Sequence, residues 1–158
     1  MPTLTTLAEA HTVLDRLQQR YAARDAIRWA IELVEPGEMI GTAGLHRFDF
    51  EHRRAELGYE IARPLWGRGL TPEAAGAVIR YGFSVLGLHR IEAGVLPEND
   101  ASVRVLQKLG FVEEGPRRDY LFARGRFHSF RWFGLLETDD SQTTARPAQG
   151  RGSTGGPK

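Results

Sequence analysis

Behind a Thr6-Leu7-Ala8-Glu9 capping box, Leu7, Ala10, Leu14, Leu17 and Tyr21 recur at helical spacing, so the chain opens on an amphipathic helix. The period then shortens to two. Trp29, Ile31 and Leu33 alternate with Ala30, Glu32 and Val34, which predicts a strand over 29–34. Glu35-Pro36-Gly37-Glu38 is a turn, and 39–45 returns as the second arm of a hairpin. A charged loop over 47–53 separates it from a third strand, 54–62. Its two faces are Ala55, Leu57, Tyr59, Ile61 and Glu56, Gly58, Glu60.

A loop over 63–70 leads into a helix over about 72–86, with Thr71 as cap and Pro72 at the first helical position, where its missing N–H costs nothing. Gly87 ends that helix. A short strand follows over 90–96, and Asn99 or Asp100 caps a short helix that runs to Leu109, with Gly110 as a left-handed C-cap. Two more strands fall near 111–115 and 127–136. From about Thr138 the chain is Ser, Thr, Gly, Pro, Gln and Arg without apolar periodicity. The reading is therefore one domain over 1–137 and a disordered tail over 138–158. The order helix, three antiparallel strands, helix, strand, helix, two strands gives an α/β fold, a mixed sheet with helices packed on its faces.

The 158 residues suffice for one core, and the 41% hydrophobic and 26% charged fractions are ordinary. With 21 basic and 20 acidic residues the formal charge is +1, so no bulk charge draws the chain to nucleic acid or an anionic membrane. No apolar run reaches the roughly 18–20 residues that span a bilayer, and no signal peptide is visible, which makes the cytoplasm the expected compartment. The chain has no cysteine, which excludes disulfides, cysteine-based metal sites and a thiol nucleophile. Its two lysines, Lys108 and Lys158, follow no glycine, so the phosphate loop GxxxxGK[ST] is absent.

The informative segment is Trp66-Gly67-Arg68-Gly69-Leu70-Thr71, between a strand and a helix. Glycines there let backbone approach a ligand, and the helix start adds unpaired N–H groups and partial positive charge suited to a pyrophosphate. Two glycines alone equally suit a plain tight turn. A Rossmann reading fails because the third glycine of GxGxxG falls at Pro72. Downstream stand Asn99-Asp100-Ala101-Ser102 and Arg104-Val105-Leu106-Gln107-Lys108-Leu109-Gly110-Phe111. Together with Ala55-Glu56-Leu57-Gly58-Tyr59 and WGRGLTPEA, these segments resemble the GNAT superfamily of N-acetyltransferases over roughly 27–136. Within it they look most like the bacterial-type branch that acetylates ribosomal-protein N-termini (RimJ/RimL type).

The resemblance implies a mainly antiparallel GNAT sheet with helices on both faces and a splay between its two central strands. It implies acetyl-CoA as co-substrate, no metal, and a primary amine as acceptor, either a peptide N-terminus or a small amine. Glu60, Ile61 and Ala62 would meet the pantetheine arm, and Gly67, Arg68, Gly69, Leu70 and Thr71 would hold the pyrophosphate. Asn99 would contact the cofactor arm, and Ser102 would protonate the leaving thiolate. The family's first strand and helix find no match here, and an uncovered sheet edge of that kind favours a homodimer.

The amine must lose a proton before it attacks, because at neutral pH it is mostly protonated. A carboxylate serves as base, directly or through water. Glu56 is the first candidate and Glu60 the second; a solvent-facing or arginine-paired carboxylate is the plainer reading of either. Ser102 equally suits a helix-start residue that bonds its own backbone. Trp66 reads as a packing anchor, and His46, His52, His89 and His128 as surface or strand-end residues without metal-ligand spacing. Arg117, Arg118, Arg124, Arg126 and Arg131 read as a solvated hairpin, or as a basic run that steers an acidic substrate or a CoA phosphate. Two other functions compete: a non-catalytic acyl-CoA-binding module, and a small-molecule amine acetyltransferase. A nucleic-acid-binding module has no support from charge or aromatic pattern.

Overall fold

A computed structural model of the chain describes residues 6–139, the side chain of Ala10 excepted. The elements come in the expected order: α1 Leu7–Ala22, β1 Ala26–Glu32, β2 Met39–Asp49, β3 Arg54–Ile61, α2 Leu70–Ser84, β4 Arg90–Val95, α3 Asp100–Lys108, β5 Val112–Ala123 and β6 Arg126–Leu136. The capping box forms as read, with the Thr6 hydroxyl accepting from the Glu9 N–H and the Glu9 carboxylate from the Thr6 N–H. Asn99 caps α3, and Gly110 is left-handed at φ 86°.

Several boundaries differ from the periodicity, each because pairing overrides pattern. β1 begins at Ala26 rather than Trp29, since Ala26, Ile27 and Arg28 pair with His46, Leu45 and Gly44 of β2. Leu33 and Val34 leave the strand for the turn, where the Leu33 N–H donates to the Glu38 carbonyl at 2.9 Å. α2 begins at Leu70, not Pro72, with Gly69 at φ 80° as its cap, so Thr71 is not the cap. β5 has twelve residues where the pattern gave five. Its Pro116-Arg117-Arg118-Asp119 stretch looks like loop, yet pairing with β6 holds across a register shift between Arg117 and Leu121. At the other end, the Leu136 N–H donates to the Asp139 carboxylate at 3.2 Å, so the first residues beyond 137 still terminate the last strand. The tail reading for 140–158 lies outside the described residues.

The six strands form one sheet in the order β1-β2-β3-β4-β6-β5. All neighbours are antiparallel except β3 and β4, which pair in parallel at only three positions: Arg54 with Arg90, Ala55 with Ile91, Glu56 with Glu92. β3 runs on to Ile61 and β4 to Val95 without further pairing, so the two central strands fork after Glu56 and Glu92. One face of the sheet carries Ala43, Leu45, Ala55, Leu57, Ile91, Ala93, Phe133 and Leu135 against Ala75, Val78, Ile79 and Phe83 of α2 and Leu106 of α3. By the alternation of strands, Glu56, Gly58 and Glu60 point to the other face, where α1 packs on β1.

Candidate active site

The loop after β3 is shaped by two glycines. Gly67 and Gly69 sit at φ 77° and 80°, a conformation that other residues adopt only under strain. A Cβ built at either meets no atom within 4 Å, so conformation rather than crowding selects glycine here. α2 starts at once, and the first helical N–H to find a carbonyl is that of Glu73, which reaches Gly69 at 3.3 Å. Pro72 has no N–H, and those of Leu70 and Thr71 remain open toward the loop, as the first turn of a helix requires.

This helix start lines a cleft of about 670 Å³ beside the end of β3 that has parted from β4. Tyr59, Glu60 and Ile61 enter it from β3, Gly67, Gly69, Leu70 and Thr71 from the loop and helix, and Asn99 and Ser102 from the start of α3. Ala62 and Arg68, expected beside them, do not line it. The Asn99 Oδ1 accepts the Ser102 N–H at 3.1 Å, and the Tyr59 hydroxyl donates to the Ser102 carbonyl at 3.3 Å, which fixes the backbone of that turn. Burial raises the Tyr59 pKa, and a hydrogen bond with the Ser102 side chain opposes the rise. So Tyr59 is a neutral donor that ties α3 to β3.

Trp66, expected as a packing anchor, and three cations that the motifs did not single out also line the cleft. Trp66 is 54% exposed and lines the cleft rather than the core; its indole N–H donates to the Ile61 carbonyl at 2.9 Å, with the Arg63 guanidinium 5.5 Å from the ring centre. Arg104 and Lys108, one helical turn apart on α3, also line it. With Arg63 they bring three cations to the cleft, and the one acidic lining residue, Glu60, has its carboxylate on Arg28, which leaves an excess of positive charge suited to a phosphate-bearing ligand. The signal for Arg104 and Lys108 was their i, i+4 spacing downstream of Ser102.

Glu56 is elsewhere. It lines a second pocket, of about 220 Å³, with Arg47, Asp49, Arg54, Glu92, Arg117 and Tyr120. A bulge at Arg47 (φ 52°), where the β2–β3 register shifts, turns that side chain onto the Glu56 carboxylate at 3.1 Å. Burial works against the Arg47 charge, and Glu56 outweighs it, so its pKa is raised. Asp49 is held below the usual carboxylate range by the His52 N–H and then by Arg54. Glu60 has its own arginine: the Arg28 Nη2 donates to it at 2.8 Å and the Arg28 Nε to Thr42.

His46 is no strand-end surface residue. It lies mid-strand on β2 opposite Glu56, its Nδ1 buried without a hydrogen-bond partner and 3.9 Å from the Glu56 carboxylate. Burial first, then Arg20, Arg47 and Arg28, lowers its pKa to about 4, so the ring is neutral at pH 7. No cluster among the described residues has the make-up of a metal site.

Known proteins carry the same plan. Residues 1–112 match the family model described as an acetyltransferase (GNAT) domain. YoaA of Bacillus subtilis (strain 168), named an uncharacterized N-acetyltransferase, is 40% identical over 134 residues, 85% of this chain and 76% of that protein. The spermidine N(1)-acetyltransferase of Vibrio cholerae serotype O1 is 30% identical over 124 residues, 78% of this chain and 66% of that protein. Among solved structures, a ribosomal-protein-S5-alanine acetyltransferase from Vibrio fischeri superposes with a TM-score of 0.74 at 25% identity, over 88% of this chain and 79% of that one. The forked six-stranded sheet, the glycine loop at a helix start and these likenesses lead to one statement: the chain belongs to the GNAT acetyltransferase family and is an acetyl-CoA-dependent N-acetyltransferase.

Proposed function

We propose that this enzyme acetylates a protein N-terminal amine in the cytoplasm, by direct attack within a ternary complex. The observation that carries the reading is the cleft at the fork, which gathers Glu60, Ile61, the Gly67–Thr71 turn, Asn99 and Ser102 in one place. The loop and helix start hold the pyrophosphate, assisted by Arg63, Arg104 and Lys108, and Glu60, Ile61 and Asn99 border the pantetheine arm. Ser102 lines the same cleft at the start of α3, which fits a proton donor to the departing thiolate.

The acceptor meets the thioester from the opposite face, where Glu56 marks the last paired position before the strands part. There its carboxylate, directly or through water, takes a proton from the ammonium. The amine nitrogen then bonds to the thioester carbon, the C–S bond breaks, and the nitrogen sheds its second proton. Ser102 protonates the departing thiolate and recovers its proton from water, so one proton is released per turnover. Glu60, on the same face of β3 as Glu56 and held by Arg28, is the alternative base.

The relative named for spermidine favours a second reading, a polyamine or other small amine as acceptor. Release of CoA thiol, measured with N-terminal peptides and with spermidine, decides between the two. Under the first reading peptides are turned over and spermidine is not. In the same assay Ser102→Ala lowers kcat by about tenfold or more with CoA affinity little changed, since its role arises only as the thiolate leaves. Glu56→Gln flattens the alkaline rise of the pH profile. Full activity in Ser102→Ala removes that residue, and an unaltered profile moves the base to Glu60 or to water.

The protein further pairs as a homodimer in this reading. β1 is an edge strand, and an apolar groove of about 390 Å³ runs beside it, lined by Trp29, Ile31, Ala77, Val78 and Tyr81. A monomer mass by light scattering at micromolar concentration would remove that assignment.

A further inference from the structure

We propose that the acceptor carries a negative group close to its amine, and that Arg117 reads that group in the pocket on the open face. This rests on the reading that the acceptor amine meets the thioester from that face.

The charges of the pocket are the first argument. Each carboxylate on its wall already has an arginine: Glu56 has Arg47 at 3.1 Å, Asp49 has Arg54 at 2.9 Å, and Glu92 has Arg90 at 2.8 Å. Arg90 is held in turn by Glu114 as well. Arg117 is the one charged group lining the pocket with no ion-pair partner among the described residues. A polyamine brings further cations into a wall whose carboxylates are spoken for, so it would compete with built-in guanidinium groups. An anion finds a free donor there.

The mounting of Arg117 is the second argument. Its guanidinium carbon lies 3.5 Å from the centre of the Trp132 ring and 5.2 Å from that of Tyr120. Trp132 is 3% exposed, and it is wedged across Gly94 of β4, where a Cβ would meet the indole at 2.6 Å. Gly94 stands two residues beyond Glu92, on the stretch of β4 that has left β3. The guanidinium is therefore stacked on a buried ring fixed to the fork itself, not waving from the hairpin. Stacking occupies its face and leaves its N–H edge free, which suits the two oxygens of a carboxylate. Arg118, Arg124 and Arg126 on the same hairpin add positive field around it.

The geometry of the pocket is the third. At about 220 Å³ it has room for about seven waters, the size of a short charged side chain and its backbone rather than of a large group. Glu56 and Arg117 line the same space, one suited to an ammonium and the other to an anion. Two sources offer that chemistry: a peptide with Asp or Glu next to its N-terminus, or a free amino acid with its own carboxylate.

The test compares charge twins as acceptors. Wild-type kcat/KM is measured for peptide amides that differ only in Glu against Gln at the second or third position, for free glutamate and for spermidine. The acidic peptide is expected to exceed its amide twin by about tenfold or more, the scale of a hydrogen bond to a charged group. Arg117→Gln should bring that ratio to within about twofold, through the KM of the acidic peptide, while Arg117→Lys keeps part of it. CoA affinity checks that each variant is folded, and the wild-type twin comparison stands even if Arg117→Gln is not.

Equal use of the twins by the wild type overturns the inference and leaves the peptide reading intact. Turnover of glutamate but of no peptide overturns the peptide reading and supports the inference. Spermidine turned over better than every acidic acceptor overturns both.

Discussion

On the cleft side of the fork, the groups that line the cleft come from short stretches of chain: Gly67–Thr71, then Asn99–Ser102, with a helix start in each. On the open face the polar groups are side chains joined over long separations, Arg28 to Glu60 across 32 residues, Arg90 to Glu114 across 24, Arg47 to Glu56 across nine. The first region leaves backbone N–H groups open for a ligand; the second satisfies nearly every carboxylate it owns. A cofactor common to a family can be met by backbone, which any side-chain drift leaves intact. An acceptor has to be chosen by side chains, and here the choice falls to Arg117 and its surroundings. The apolar layer beneath α2 and the charged layer opposite it should accordingly differ in what they contribute to stability.

The largest effect should therefore come from the apolar layer. Ile79 is 2% exposed between α2 and the sheet, and Ile79→Ala should cost about 2–5 kcal/mol of unfolding free energy, from lost transfer energy and the cavity left behind. Arg47→Met, which removes the half-exposed arginine partner of Glu56 on the open face, should cost about 1 kcal/mol. Denaturant unfolding of the two variants measures both. A cost for Arg47→Met as large as that for Ile79→Ala would mean the charged face is itself structural.

The same contrast decides what was legible in the sequence. The glycine loop, the Asn99 cap, Ser102 and the order of elements each lie in a local pattern, because turns and caps are specified by neighbours in sequence. Even the fork was implied by the family likeness those motifs carry. The ion-pair partners of Glu56 and Glu60 were not legible, since nothing local aims Arg47 or Arg28; a bulge and a strand register do. Trp66 misled for a related reason. A large aromatic beside an apolar strand end reads as core, yet its N–H is spent on Ile61 and its ring faces the cleft. β5 was cut short because Pro116 and three charged residues mimic a loop, while β6 supplies pairing from beyond the turn.

His46 sharpens the comparison through pH. Its folded pKa of about 4 lies below the ordinary 6.5, so the folded state holds the neutral ring and the unfolded chain binds a proton first. The unfolded state then carries more protons between those values, and stability rises with pH across that window. The contribution is fully present above pH 6.5 and is lost as pH falls toward 4, at most about 3 kcal/mol in all. The charged groups facing the ring are Arg20, Arg28 and Arg47, which oppose its protonation, and Asp25 and Glu56, which lie on the other side of the balance. His46→Gln should flatten the stability profile between pH 6.5 and 4, measured by urea unfolding at each pH. A profile as steep in the variant as in the wild type would assign the acid sensitivity to the carboxylates instead.

The smallest expected effect isolates the electrostatic part of cofactor binding. Lys108 and Arg104 lie in the cleft without a carboxylate partner among the described residues, and the exposed Arg126 lies at the far end of the β5–β6 hairpin. Both cleft cations are exposed and held by no hydrogen bond, so solvent and salt screen them. Lys108→Gln or Arg104→Gln should each weaken CoA binding by about two- to fivefold, the scale of a solvent-exposed charge pair. The losses should shrink as ionic strength rises from 0.01 M to about 0.15 M, because the Debye length contracts from ~30 to ~8 Å. Arg126→Gln carries the same change in net charge and should leave CoA affinity within error. Calorimetric titration of CoA at the two salt concentrations reads all three variants. Equal losses from Arg126→Gln and Lys108→Gln would mean that net charge, rather than the placement of α3 at the cleft, draws the cofactor in.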